Sequence, residues 1–453
     1  MENQENDLNK IFEQIEEAFA RDDTSTLQGL LGELHPEDIA HVINHLPEED
    51  KFRLLSVLDA ETAGDVLLKV DDESLEFLLR ELSEQQISRL AKAMDADEAA
   101  DILAELSDDE QQQVLKLVPA EDSREILELL RYEETTAGGL MGTEYMAVFS
   151  GMRAIEALAA LRHQKPPPEL AHDVYVVDGQ KSLVGVLSLY DLVFADPDDT
   201  LDRIMNPEPV RVELFDDQED VARTVAKYDL LTVPVVDEKG RLKGVISIDD
   251  VLDVIEDEAT EDIMRMAGTT EAESVFSPPR RSALRRLPWL YLNLFTALVA
   301  ASVVGLFQET IRTVVTLAIF MPVVAGMSGN AGTQTLTLVV RAIALGEVTF
   351  ADSWRIIVRQ VTAGFLAGLG VGIFAAFVAI LWKGNPIFGL VLGLALVVNL
   401  AIACLLGVII PLTLRKLKLD PALGSGIFLT AATDSMGFFA FLGLATLLLK
   451  YLT

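Results

Sequence analysis

Residues 34–130 carry an apolar anchor at every twelfth position: Leu34, Leu46, Leu58, Val70, Leu82, Met94, Leu106, Val118 and Leu130. After most anchors comes a polar opening, as in HPED, DAET, DDES, SEQQ, DADE and SDDE. Ser and Asp cap the free backbone N–H groups of a helix start, and acidic residues suit the positive end of its dipole. Each unit then reads as a helix of about two turns, for example DIAHVINHL or EAADILAEL. A unit this short cannot bury its own apolar stripe, so neighbours must stack. An all-α helical solenoid over 1–132 is predicted. Such solenoids bind partners or act as levers; a structural spacer is the alternative.

From about Leu140 the pattern changes. VYVVDGQKSLVGVLSLYDLV (174–193) matches VPVVDEKGRLKGVISIDDVL (233–252) at a constant offset of 59. Each copy predicts strand, tight turn, strand, then a helix opened by Asp191 or Asp250. The duplicated G-V-[LI]-S-[LI]-x-D-[LV] ending resembles an α/β tandem CBS pair, with repeats expected at 137–200 and 201–258. The resemblance implies a regulatory sensor of adenine nucleotide or metal ion. An acidic helix follows, with Asp249, Asp250, Asp253, Glu256, Asp257, Glu258, Glu261 and Asp262. Like charges three and four residues apart destabilise a helix, and a divalent cation would relieve them. A solvated face is the plainer alternative. The expected linker, 259–286, turns from acidic to basic.

Five apolar segments complete the chain: Leu287–Phe307, Thr313–Leu345, Ile356–Trp382, Pro386–Leu414 and Ala422–Leu449. Each is long enough to span a hydrocarbon core of ~30 Å, so a five-helix α transmembrane domain is predicted at 287–453. Arg280, Arg281, Arg285 and Arg286 place the first entry on the cytoplasmic side. Arg341, Arg355 and Arg359, then Arg415, Lys416 and Lys418, fall in alternate connections. The expected topology is multi-pass in a bacterial plasma (inner) membrane, with the soluble half in the cytoplasm and the C-terminus outside. The acidic, amphipathic MENQENDLNKIFEQ does not read as a secretory signal.

The last segment contains one carboxylate, Asp434. An ionised Asp inside a membrane helix costs about 2.5–3.5 kcal/mol, and such residues usually mark a pathway for ions. A structural Asp held by Thr430, Thr433 and Ser435 is the alternative. The second segment brings PVVAGMSGNAGTQT (322–335), with Gly326, Gly329 and Gly332 allowing close helix contact or a broken backbone. Asn330, Thr333, Gln334 and Thr335 add amides and hydroxyls at membrane depth, and buried amides need several partners. A pore lining of amides, hydroxyls and one carboxylate is the favoured reading.

Charge sharpens this picture. The chain has a net charge of −35, yet from Phe276 onward there are 5 acidic and 13 basic residues, which leaves −43 in 1–275. Such a surface repels nucleic acid and attracts cations. Cys404 is the single cysteine, so no intrachain disulfide or cysteine-based metal site is expected. No nucleophile–base constellation or phosphate-cradling loop stands out, and the 5 histidines are read as making no helical ligand pair. An enzyme is not expected.

GNAGTQT (329–335), PALGSG (421–426), T-x-x-T-D at 430–434 and AGGLM (137–141), in this domain order, resemble the MgtE family of magnesium channels over essentially the whole chain. The resemblance implies a homodimer whose pore lies on the twofold axis. Two copies of Asp434 would hold hydrated Mg²⁺ there, with Thr430 and Asn330 nearby and Gly329, Thr333 and Gln334 lining the pore. It also implies that cytosolic Mg²⁺ closes the pore through Asp217, Glu219, Asp229, Asp250, Glu258, Glu261, Asp262 and Asp420, with the carbonyls of Gly139 and Ala226. Two departures stand out. Gln85 and Arg89 replace solenoid carboxylates of the family, for which Asp95, Asp97 or Asp101 are the candidate substitutes. Asp173, Tyr190 and Leu230 occupy positions that cradle adenine nucleotide (ATP) in the family, where only Asp191 matches, as a ribose partner. An ion-coupled carrier of Mg²⁺, Co²⁺ or Ni²⁺ and a membrane-anchored CBS sensor without conduction remain as alternatives.

Overall fold

The computed structural model describes residues 12–452, except 13, 16, 20, 22, 33, 165–169, 271, 272, 274, 276, 277 and 349–351. The opening of the expected solenoid and part of the expected linker therefore lie outside the described residues. The chain divides into two compact units, one ending at Ile255 and one beginning at Glu256.

The first unit opens with short helices: α1 (Thr24–Leu31), α2 (Pro36–His45), α3 (Glu48–Leu55), α4 (Ala60–Lys69), α5 (Asp72–Glu81), α6 (Glu84–Leu90), α7 (Ala96–Ala104), α8 (Asp108–Leu115) and α9 (Asp122–Leu129). Their N-caps keep the sequence period at His35, Pro47, Asp59, Asp71, Ser83, Asp95 and Ser107. Asp59 and Asp71 accept from the N–H groups of Thr62 and Ser74, while Ser83, Asp95 and Ser107 form capping boxes with Gln86, Glu98 and Glu110. Helices pack on the next but one, α2 on α4, α3 on α5, α4 on α6, α6 on α8 and α7 on α9. Leu46 and Val118 are buried in the core, but most of the twelve-residue anchors only flank it. Leu46, Val70 and Leu82 each end one helix and precede the cap of the next. The dry interior is instead Ile39, Ile43, Val66, Leu67, Leu78 and Ile102.

Two three-stranded sheets follow, ordered β1 (Ala147–Phe149), β2 (Asp173–Val177), β3 (Leu183–Ser188) and β4 (Val212–Glu213), β5 (Thr232–Val236), β6 (Leu242–Ser247). In each sheet the first pair is parallel and the second antiparallel. Asp173 faces Ser188 as Thr232 faces Ser247, and both ladders shift register at the same place. The offset of 59 is thus a duplication in three dimensions. The helices of this part are α10 (Ala137–Leu140), α11 (Ala154–Gln164), α12 (Leu189–Phe194), α13 (Leu201–Ile204) and α14 (Gln218–Tyr228). One core joins Leu103, Val114, Ile126 and Leu129 of the solenoid to Val221 of α14 and to Val233, Val235 and Ile246 of the second sheet.

The helix after β6, α15 (Ile248–Ala267), runs on past the acidic stretch and ends before Gly268, whose φ of +74° stops it. Five long helices follow: α16 (Pro279–Gly305), α18 (Thr316–Ala344), α19 (Ser353–Lys383), α20 (Pro386–Lys416) and α21 (Ser425–Leu447). A short helix, α17 (Gln308–Thr313), sits in the turn after α16. Even the shortest of the five, with 23 residues, extends about 34 Å at 1.5 Å per residue. Four are long and apolar enough to cross a membrane. The other, α18, has 29 residues and polar groups at its centre. It is an unbroken helix, which settles the choice left open by its glycines. Gly326 and Gly329 face open space, whereas Gly332 lies against Leu429 of α21.

The pair α19–α20 packs backbone to backbone. A Cβ on Gly372 would come within 2.6 Å of the Gly393 carbonyl, and one on Gly364 within 2.7 Å of the Leu400 carbonyl. Nothing lies within 4 Å at Gly370. Overpacking such a contact typically costs about 1–3 kcal/mol. Gly372→Val is therefore expected to lower the thermal midpoint of the detergent-solubilised protein by several degrees, and Gly370→Val to leave it unchanged. Equal midpoints for the two variants would remove this packing account.

Candidate functional site

The membrane helices present a polar face. On α18, Val324, Ser328, Gly332, Thr335 and Val339 are buried, whereas Gly326, Asn330, Thr333, Gln334 and Thr337 are exposed. Three- and four-residue steps put the exposed set on one side of the helix. On α21, Thr430 is exposed and Asp434 half-buried. The Thr430 hydroxyl donates to the Gly426 carbonyl at 2.8 Å, and that of buried Thr433 to the Thr430 carbonyl at 3.1 Å. Both hydroxyl protons are thereby used on backbone. Asp434 takes no part in any hydrogen bond or ion pair among the described residues, so the structural-Asp alternative lacks the ties it needs. Behind this face, fully buried Asn399 donates to the Val324 carbonyl at 3.3 Å, and a Cβ on Gly437 would collide with its amide. Asn399 thus joins α18 and α21, a role its place in an apolar run does not announce.

In the first unit, carboxylates far apart in sequence come together. Asp97 and Asp101 of α7 lie near Asp250 at the start of α15. Burial pushes Asp97 up to about 6, with Asp250 and Asp95 adding to it. Glu98 and Asp101 are pushed up to about 7, again first by burial and then by neighbouring carboxylates. Asp250 is raised by burial too, against the hydrogen bond from the Ser247 hydroxyl. Gly142 makes room here, since a Cβ on it would approach the Asp97 carboxylate to 3.0 Å. Of the three candidate substitutes, Asp97 and Asp101 are in this group and Asp95 is close enough to raise Asp97.

The remaining expected ligands fall into separate places. Gly139 and Asp217 are close, since Thr136 bridges to Asp217, which caps α14 through the Glu219 N–H. Ala226 and Asp229 lie at the opposite end of α14, about 16 Å along an eleven-residue helix. Asp229 closes that helix with a left-handed φ of 52°. Glu219 pairs with Arg223 at 3.1 Å. In the second unit, burial, then Asp420 and Glu258, push Asp262 up to about 6. Arg265 bonds Asp420 at 2.7 Å and also pairs with Glu261, so a guanidinium occupies the space between two expected metal ligands. No group of three His, Cys, Asp or Glu converges tightly enough for direct metal ligation among the described residues.

His41 and His45 stand four residues apart on α2 with ring centroids 4.5 Å apart. The His45 ring is bonded to the His41 carbonyl at 2.8 Å. The other CBS feature is a cleft of about 480 Å³ lined by His172, Asp173, Ser188, Tyr190, Phe194 and Leu231, among others. Asp191 lies next to it, with its carboxylate accepting the Ser188 hydroxyl at 2.7 Å.

A half with paired α/β repeats, joined to a bundle of long apolar helices carrying a polar face, fits a membrane transporter. Residues 34–135 match the MgtE intracellular N domain, 201–257 the CBS domain, and 321–444 MgtE, described as a divalent cation transporter. The magnesium transporter MgtE of Thermus thermophilus is 38% identical over 446 residues, covering 97% of this chain and 99% of that one. Its namesake from Bacillus subtilis is 32% identical over 419 residues, covering 92% and 93%. A crystal structure of the cytosolic domain of the Mg²⁺ channel MgtE in complex with ATP is 39% identical, with a TM-score of 0.50, over 54% of this chain and 99% of that one. The chain belongs to the MgtE family of magnesium transporters.

The raised carboxylates fix a sign. Their folded values near 6–7 exceed unfolded values of about 4. Between those pH limits the native state holds more protons than the unfolded one, so stability falls as pH rises. In the presence of a chelator, the thermal midpoint is expected to drop from pH 5 to pH 8. Added Mg²⁺ should restore it at pH 8 and do little at pH 5. A chelated midpoint that stays flat or rises over this range would contradict the cluster's burial.

Proposed function

We propose that this transporter is a homodimeric Mg²⁺ channel whose pore runs between the protomers and is closed by cytosolic Mg²⁺. The observation that carries the reading is the exposed face of α18, with Asn330, Thr333, Gln334 and Thr337, beside an α21 that offers Thr430 and an untied Asp434. Lipid cannot satisfy amides and a carboxylate, so a wet path enclosed with a second copy is the arrangement that accommodates them. A hydrated dication passing there meets a few oxygen acceptors and no cage, which permits both entry and release. Gly329 keeps the wall open by offering no side chain.

Gating follows from electrostatics. Asp97, Asp101 and Asp250, and in the other unit Asp262, are raised by burial and neighbouring carboxylates, so these positions gain most from a cation. Asp217, Glu219 and Asp229 supply further acceptors, with the carbonyls of Gly139 and Ala226. Several weak sites that favour one conformation add their free energies. Closure at high Mg²⁺ limits uptake when the ion is plentiful. The basic residues at Arg280–Arg286, Arg341–Arg359 and Arg415–Lys418 support a cytoplasmic soluble half and an outside C-terminus in a bacterial inner membrane. Solenoid, two CBS repeats, linker and membrane domain divide at about 132, 200, 258 and 286 in this reading.

Asp434→Asn is expected to abolish Mg²⁺ uptake in liposomes and to leave a Mg²⁺-dependent strain unrescued. Flux equal to that of the parent protein would refute the pore assignment.

A further inference from the structure

Within the second unit, the end of α15 is fastened to the start of α21. A Cβ on Gly426 would come within 2.6 Å of the Met266 carbonyl, and one on Gly268 within 3.2 Å of the Ile427 side chain. The polar part of this contact is Arg265. Its guanidinium donates to Oδ2 of Asp420 at 2.7 Å and pairs with Glu261, one turn earlier on α15. Asp420 uses its other oxygen, Oδ1, to accept the Ala422 N–H at 2.7 Å, which shapes the turn ahead of α21. The side chains of Arg265, Asp420 and Glu261 are 35%, 27% and 16% exposed, so solvent screens these pairs less than it would on an open surface. From Gly426 the link runs on to the polar face, since the Gly426 carbonyl holds the Thr430 hydroxyl. α15 itself begins in the first unit and ends in the second.

Glu261 and Asp420 do not fit a metal ion in this arrangement. A guanidinium bridges them, and a second cation brought between them would meet its charge. Mg²⁺ with its water also needs a space that the arginine side chain fills. We propose that Arg265 is a positioning residue that takes the place of Mg²⁺ at this contact: a tethered cation that fastens α15 to the turn before α21 and favours closure without a bound ion. The proposal rests on the reading that cytosolic Mg²⁺ closes the pore, and deepens it. An arginine stays charged throughout the physiological pH range and is always beside its partners, whereas a free ion must be captured from solution. Without the guanidinium, Glu261 and Asp420 are left as like charges, with the Asp262 and Glu258 carboxylates near Asp420 adding to the repulsion. Closure then needs more Mg²⁺.

The test is Mg²⁺ flux of the full-length protein in liposomes, read over a series of Mg²⁺ concentrations on the side of the soluble half. Arg265→Gln is expected to conduct at low Mg²⁺ and to need about threefold or more Mg²⁺ for half-closure. Asp420→Asn, which keeps an acceptor for the Ala422 N–H, should shift half-closure the same way, and the double variant no further than either alone. Exchanging the charges, Arg265→Asp with Asp420→Arg, should bring the value back toward that of the parent. If Arg265→Gln does not fold, Arg265→Lys carries the same test with a smaller shift, because it keeps the charge and loses the fork. A contact that only holds the fold together would lower the thermal midpoint and leave half-closure unmoved, which would overturn the proposal. So would half-closure at lower Mg²⁺ in Arg265→Gln, the mark of an arginine that competes with the ion, or shifts that add in the double variant. A parent protein whose flux ignores Mg²⁺ would remove the gating reading and this contact with it; an Arg265 variant that closes like a gated parent removes the contact alone.

Discussion

The constraint on which the rest depends is uncompensated polarity in hydrocarbon. A soluble helix may expose amides at no cost, but a membrane helix may not, because nothing in lipid replaces water as a partner. Among the described residues, Asn330, Thr333, Gln334 and Asp434 of α18 and α21 make no side-chain hydrogen bond or ion pair that would neutralise them. The small-residue packing of α19 on α20 is the complement of that face. Gly364, Gly368, Gly372, Gly389 and Gly393 let those helices close tightly, which leaves α18 and α21 to carry the polar groups. Asn399, wedged between the two, sets their spacing from behind.

The soluble half obeys the same physics in water. Its carboxylates are placed where burial makes charge costly, and the cost is greatest where α7 meets the start of α15. Protein cations relieve part of the repulsion: Lys69 pairs with Asp253 at 2.8 Å, and Arg265 stands between Glu261 and Asp420. Asp97, Asp101 and Asp262 have no such relief, since only carboxylates raise them besides burial.

Much of the fold was legible because it is local or repeated. The twelve-residue period set the caps at His35 through Ser107, and the offset of 59 set the register of both sheets. Long apolar runs located the membrane helices to within a few residues, apart from the start of the first, where the basic stretch from Arg280 proved helical. What escaped was non-local. Nothing in the spacing of Asp97 and Asp250, some 150 positions apart, shows that they meet. The anchors Val70 and Leu82 carried the period but only flank the core, because a helix boundary repeats as faithfully as its centre. The short α17 is too polar and brief to mark itself, and the His41–His45 pair lay inside an amphipathic pattern that explained its positions without it.

The claim that the polar face of α18 meets its own copy is tested most directly by cross-linking. A Thr333→Cys variant in a Cys404→Ser background, oxidised in native membranes, should run as a disulfide-linked dimer. Phe374→Cys, on an exposed apolar stretch of α19, should remain monomeric. A monomeric Thr333→Cys protein, with its thiol open to lipid-soluble but not water-soluble reagents, would contradict the account.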